Sequence, residues 1–216
     1  IGLPQGIIRY GAIRAQTHGK NGVHQVTKAA MQVAIIAGLL LMAVVVLASP
    51  AIASGIFHRE ELTPIFRVLA LSIPFMSLQS MLLAATRSLK VMKYSTIVWI
   101  VQPMIALLLA IPLVYIGLGI MAAALAYVIS HVCGAALALF YYIRLIPSEN
   151  RDQEKYPLGK MMKFSIPLSM TEWMHFTNER TEIFFLGLLP GAVDISIYKI
   201  AWSLAGIETM LRLALE

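Results

Sequence analysis

The residues best equipped for chemistry lie between Phe164 and Gly191. There Glu172, His175, Glu179, Arg180 and Glu182 interrupt an otherwise apolar run. Carboxylates and an imidazole can exchange protons or hold a cation. A guanidinium presents a planar fork of donors that suits phosphate. At 100° per residue, Glu172, His175, Glu179 and Glu182 follow a 3, 4, 3 spacing, which puts them on one narrow helical stripe bordered by Asn178. Arg180 lies off that stripe. Its three- and four-apart neighbours are Phe176, Thr177, Ile183 and Phe184, so no carboxylate meets it at helical spacing. Its partner must come from another helix, from water or from a ligand. Lys199, in the next apolar segment, stands at a similar distance from the turn at Pro190-Gly191. Further on, Glu208 and Arg212 are four apart in the favourable order for an internal pair.

The elements that carry these residues are membrane helices. Of 216 residues, 59% are hydrophobic and only 13% charged, with a mean hydropathy of +0.77. Soluble domains carry about 25% charged residues, so the composition predicts an all-α, polytopic transmembrane bundle. An ionisable group at bilayer depth costs roughly 2.5–3.5 kcal/mol on insertion scales. Five in one span therefore predict a helix that borders a water-accessible cavity. Neither end reads as a natural terminus: Ile1 opens without a leader and Glu216 falls inside a helical pattern, so we expect a chain cut at both ends. The lone Cys133 allows no internal disulfide, and no metal-ligand spacing surrounds it. The net charge of +6 is read as basic cytoplasmic loops, with no nucleic-acid partner. No Gly-rich phosphate loop, Ser-His-Asp arrangement or zinc-binding helix is present, so we expect neither an enzyme nor a cofactor. His58, His131 and His175 are scattered, and a lone membrane histidine reads as a helix-packing donor.

Residues 1–15 read as the last turns of a span, followed by a polar stretch from Gln16 to Lys28. Ala29–Phe57 contains no Asp, Glu, Lys or Arg and exceeds the roughly 20 residues a crossing needs. Pro64–Ala85, Tyr94–Ile116 and Ile120–Ile143 are further spans, separated by the basic loop Arg87-Lys90-Lys93 and the uncharged turn Gly117-Leu118-Gly119. Pro50, Pro74, Pro103, Pro112 and Pro167 lie within spans, with kinks expected at Pro103 and Pro112. Arg144–Lys163 is the longest polar segment, the charged helix follows, and a last span opens near Val193. Lys and Arg concentrate in every second loop: Arg9, Arg14, Lys20 and Lys28; then Arg87, Lys90 and Lys93; then Arg144, Arg151, Lys155, Lys160 and Lys163. The positive-inside rule assigns those loops to the cytoplasm.

The buried charges admit three readings. Lys199 could pair with Glu179 or Glu182, and Arg180 with a carboxylate elsewhere, purely to hold helices together. The cations could instead line a wet vestibule that receives an anionic ligand. The acids and His175 could form a proton or sodium relay.

The order of motifs resembles the oligosaccharide flippases, the O-antigen and exopolysaccharide repeat-unit translocases of the multidrug/oligosaccharidyl-lipid/polysaccharide exporter superfamily. The residues carrying the resemblance are Gly2-Leu3-Pro4 and Arg9-Tyr10-Gly11-Ala12; SPAIASGIF ending at Phe57; LALSIPFMSLQSMLLAATRSLKVMK from Leu69 to Lys93; GLGIMAAALAYVIS from Gly117 to Ser130; KFSIPLSM opening the charged helix; and FLGLLPGAVDISIYKIAWSLAGI from Phe185 to Ile207. The resemblance implies two six-helix lobes. Residues 1–143 would be most of the first lobe, from about span two; 144–160 a cytoplasmic interlobe linker; and 161–216 the start of the second lobe, to span eight. It further implies a multi-pass protein of the cytoplasmic (inner) membrane that passes polyprenyl-pyrophosphate-linked oligosaccharide through a cationic cavity by alternating access. Arg180, Lys199 and Arg9 would bind substrate, and Glu172, His175, Glu179 and Glu182 would tune the charge or couple H+ or Na+. Lipid-linked oligosaccharide and membrane lipids are the implied partners. Many such proteins carry Arg followed within two residues by Asp, whereas this chain has Arg180-Thr181-Glu182 and a more acidic helix. That departure keeps a cation-coupled multidrug exporter of the same superfamily as an alternative. A non-transporting membrane scaffold is a third reading.

Overall fold

The computed structural model describes residues 2–146 and 158–188, with α6 side chains described at 159, 161–174, 177 and 181. It contains α1 (Leu3–Gly55), a 3-10 turn (Glu60–Leu62), α2 (Thr63–Ala70), α3 (Ser72–Ser88), α4 (Lys93–Tyr115), α5 (Ile120–Leu145) and α6 (Leu158–Leu188). No strand occurs among the described residues. Among the described residues, four helical stretches are long and apolar enough to cross a membrane: α1, Glu60–Ser88, α4 and α5. The protein is an all-α polytopic bundle. The chain divides into two compact units, Gly2–Pro167 and one beginning at Leu168, with the boundary at the proline inside α6.

The expected polar loop at Gln16–Lys28 is instead helical almost throughout. α1 is two helical arms, residues 3–18 and 20–55, joined at Gly19, whose φ of 57° and ψ of −144° suit glycine. The arms fold back on each other. A Cβ at Gly22 would sit 2.7 Å from the Arg14 carbonyl oxygen, and one at Gly11 3.8 Å from Val23 Cγ1. Polarity here marks depth and not conformation. Gln16, Thr17, His18 and Lys20 are exposed, and a helix longer than the roughly 30 Å hydrocarbon layer keeps its ladder beyond it.

α4 stays helical through Pro103 and Pro112. The break comes between α2 and α3, at Leu71, just ahead of Pro74. Pro74 has no N–H to give the Ala70 carbonyl and its ring crowds that oxygen, so the ladder ends one turn earlier. α6 begins at Leu158, ahead of the expected Phe164. The Gly117-Leu118-Gly119 turn forms as read, with φ of 93° and 51° at its two glycines.

α3 is the centre of the first unit, packed against both α1 and α5, while α4 packs on α5. Met81, Leu82, Leu83, Ala84, Ala85 and Thr86 are buried in succession, so this part of α3 is enclosed on all sides. α5 meets its neighbours through Ala122, Ala126, Ser130, Gly134 and Ala138, a buried stripe of small residues at four-residue spacing that lets backbones approach.

The connections sort by charge. At one end Gly11 lies against Ser88, His24 Nδ1 is 2.7 Å from Tyr142 Oη, and Tyr94 stacks on Tyr141 at 4.4 Å. This end gathers the Gly19 turn, the Arg87–Lys93 connection and Arg144. Arg87 is held there by an Nε–H bond to Ser95 Oγ at 3.1 Å and by the Trp99 ring at 4.7 Å. At the other end Phe57 meets Phe66 at 5.8 Å, and Arg59, Glu60 and Glu61 are exposed, so that turn carries one cation and two acids.

Candidate functional site in the first bundle

A chain of three polar side chains crosses the interior of the first unit. Gln79 Nε2 on α3 donates to Gln102 Oε1 on α4 at 2.6 Å. Gln102 Nε2 in turn donates to His131 Nδ1 on α5 at 2.8 Å and lies 3.2 Å from Nε2 of the same ring. Each residue sits near the middle of its helix: Gln79 is the eighth of 17, Gln102 the tenth of 23 and His131 the twelfth of 26. The hydrocarbon layer offers no water at that depth, so polar groups must satisfy one another. Here they do so between helices, which ties α3, α4 and α5 together.

Gly134 makes the arrangement possible. A Cβ there would stand 3.0 Å from Gln79 Oε1 and 3.2 Å from Gln102 Oε1. The Tyr127 ring meets His131 edge-on, with centroids 4.5 Å apart. Gln79 Oε1 is buried and finds no hydrogen-bond partner among the described residues. The histidine expected to serve helix packing does so here, joined to Gln102 of the neighbouring helix. Sequence reading missed Gln79 and Gln102 altogether. They are uncharged, and their signal is a single amide within each apolar run.

Beside this chain a groove of about 450 Å³ runs between α4 and α5, with Gln102, Tyr127 and Ser130 among its lining residues and Pro103, Ala106 and Leu107 along its wall.

Arg9, expected to bind substrate, is exposed on the first arm of α1. Its guanidinium lies 4.5 Å from the Phe164 ring centroid and 5.9 Å from that of Tyr10, and the two rings meet edge-on at 5.9 Å. The start of α6 is brought to Arg9 by close packing on Gly6, where any Cβ would collide with Ser165 Oγ. The cation is thus held on aromatic faces while its N–H groups remain accessible.

α6 is continuous through Glu172, His175, Glu179, Arg180 and Glu182, so their helical spacing holds along one element. Glu172 is half-buried, and Thr177 and Thr181 donate back to the Trp173 and Thr177 carbonyls. Among the described residues, α6 is longer than three of the four apolar stretches but is not one of them. Lys199, Glu208 and Arg212 lie outside the described residues. Among the described residues no group of three or more His, Cys, Asp or Glu could hold a metal ion.

Crossing helices, small-residue packing and a polar chain at mid-span define a polytopic α-helical membrane protein. The chain belongs to the polysaccharide biosynthesis protein family, whose model matches residues 5–211. No curated protein and no solved structure matches it.

Proposed function

We propose that this protein is a transporter, not an enzyme, that flips polyprenyl-pyrophosphate-linked oligosaccharide across the cytoplasmic membrane during polysaccharide biosynthesis. Family membership supports a role in making or exporting polysaccharide. The observation that carries the step to an anionic, sugar-bearing ligand is Arg9, an exposed guanidinium laid over Phe164 beside Tyr10. A guanidinium fork recognises pyrophosphate oxygens, and aromatic faces suit sugar rings. In this reading Arg180 and Lys199 join Arg9 in meeting the pyrophosphate. Glu172, His175, Glu179 and Glu182 tune that charge or couple H+ or Na+ to the movement. Residues 1–143 belong to one transmembrane lobe and residues 161–216 to a second, joined by a cytoplasmic segment at 144–160, and the lobes alternate access to the two sides.

A second reading, a cation-coupled multidrug exporter, is favoured by one feature: Glu172, Glu179 and Glu182 share one unbroken helix. Complementation of a strain lacking its own repeat-unit flippase separates the two. The intact protein should restore surface polysaccharide. Arg180→Ala combined with Lys199→Ala should abolish restoration, and Arg9→Ala should lower it several-fold at equal membrane abundance. Full restoration by the double variant discards the assigned roles. Energised efflux of a cationic dye that depends on Glu179, with no complementation, establishes the exporter instead.

A further inference from the structure

We propose that the Gln79–Gln102–His131 chain is a proton-binding site, in which one proton taken up by His131 reverses the hydrogen bonds that join α3, α4 and α5. The site is independent of the charged helix and of the flippase reading.

Donors run from Gln79 through Gln102 to His131. The Gln102 amide nitrogen lies within hydrogen-bond distance of both ring nitrogens, at 2.8 and 3.2 Å. A ring carrying N–H on both nitrogens would set donor against donor there. The amide must then turn over and present Oε1 to the ring. That turn brings Gln102 Nε2 toward Gln79, which must turn as well, so that its Oε1 becomes the acceptor. This is the oxygen that is now buried without a partner among the described residues. The Gln79 nitrogen takes the space beside Gly134, where no Cβ stands in the way. One N–H bond forms at the ring with a proton from water, no other covalent bond is made or broken, and the two inter-amide and amide–ring hydrogen bonds are remade in the opposite sense. The three helices remain linked in both states, but the link runs in opposite directions.

No fixed charge competes for the proton. Residues 72–86 of α3, 94–115 of α4 and 120–143 of α5 contain no Asp, Glu, Lys or Arg. On α2, which also packs on α5, Arg67 donates through Nε–H to Ser49 Oγ at 3.3 Å. The charged groups at the ends of α3, α4 and α5 are Arg87, Lys93 and Arg144. The remaining titratable side chains on α5 are Tyr127, whose ring meets His131, and Cys133, Tyr141 and Tyr142. The groove between α4 and α5 starts at Gln102, Tyr127 and Ser130 and continues past Ala106, Ala110 and Ala123 toward the Gly117-Leu118-Gly119 end of the two helices.

The test uses the intact protein in lipid nanodiscs, with 15N-histidine for NMR and 13C-carbonyl glutamine for difference infrared spectroscopy. Between pH 8 and pH 4, one histidine signal that is absent from His131→Gln should pass from the neutral to the doubly protonated form. A glutamine carbonyl band should shift with it. In Gln102→Leu the histidine change should persist while the glutamine shift is lost, and this variant keeps the test open if His131→Gln does not fold. A His131 ring that stays neutral down to pH 4 overturns the proposal. So does protonation with no glutamine shift in the unaltered protein, or a shift that survives Gln102→Leu.

Discussion

α3 and α4 both belong to stretches long and apolar enough to cross a membrane, yet the structure uses them in opposite ways. α4 is the more apolar of the two by sequence, and it buries only Ser95 and Val98. Trp99, Ile100, Leu107, Leu108 and Ile111 face outward from the unit. α3 is less apolar, carries Ser72, Gln79, Thr86 and Ser88, and sits at the centre. In water the greasier helix would be inside. In a bilayer the surroundings are as apolar as leucine, so burial follows close packing and hydrogen bonding instead. Small and polar residues therefore share the interior with bulky ones such as Leu82, while the outward face of α4 is almost wholly bulky and apolar.

The comparison can be broken by truncating equivalent side chains. Leu82→Ala, at a fully buried position of α3, should cost about 2–5 kcal/mol in reversible unfolding from detergent micelles. An effect as small as that of an exposed leucine would mean that α3 is not the packed centre. Gly134→Ala, which presses a methyl group on both amide oxygens, should cost about 1–3 kcal/mol, read as a lower unfolding midpoint. Gln102→Leu removes the middle of the polar chain and strands its two neighbours. It should cost about 1–2 kcal/mol, and a double-mutant cycle with Gln79→Leu should return a non-zero coupling. Leu107→Ala, on the exposed face of α4, should fall within about 0.5 kcal/mol of the unaltered protein by the same measurement.

The sequence made the positions of the apolar crossings legible because hydropathy reports which residues lie in hydrocarbon. Tyr94–Ile116 and Ile120–Ile143 differ from α4 and α5 by a residue or two at the ends. It did not reveal the conformation of Gln16–Lys28, since an exposed helix and an exposed loop are equally polar. The site divides in the same manner. Charged side chains such as Arg9 and Glu172 stand out in an apolar chain. Two uncharged glutamines do not, and only the packing of three helices reveals that they meet. The cation–π contact of Arg9 with Phe164 was equally hidden, because it joins residues 155 positions apart. The roles of Arg180 and Lys199 rest on side chains outside those described, and the complementation experiment is where they will be decided.

The reversal at Gly19 has a mechanical corollary. A turn made in one residue has no slack, so strain applied to either arm of α1 is delivered to the other without being absorbed between them. The first arm carries Arg9, while the second runs the full length of the bundle beside α3. Lengthening the turn with a few flexible residues would decouple the two like a slipped clutch, leaving each arm packed in place while ending the transmission of movement between them.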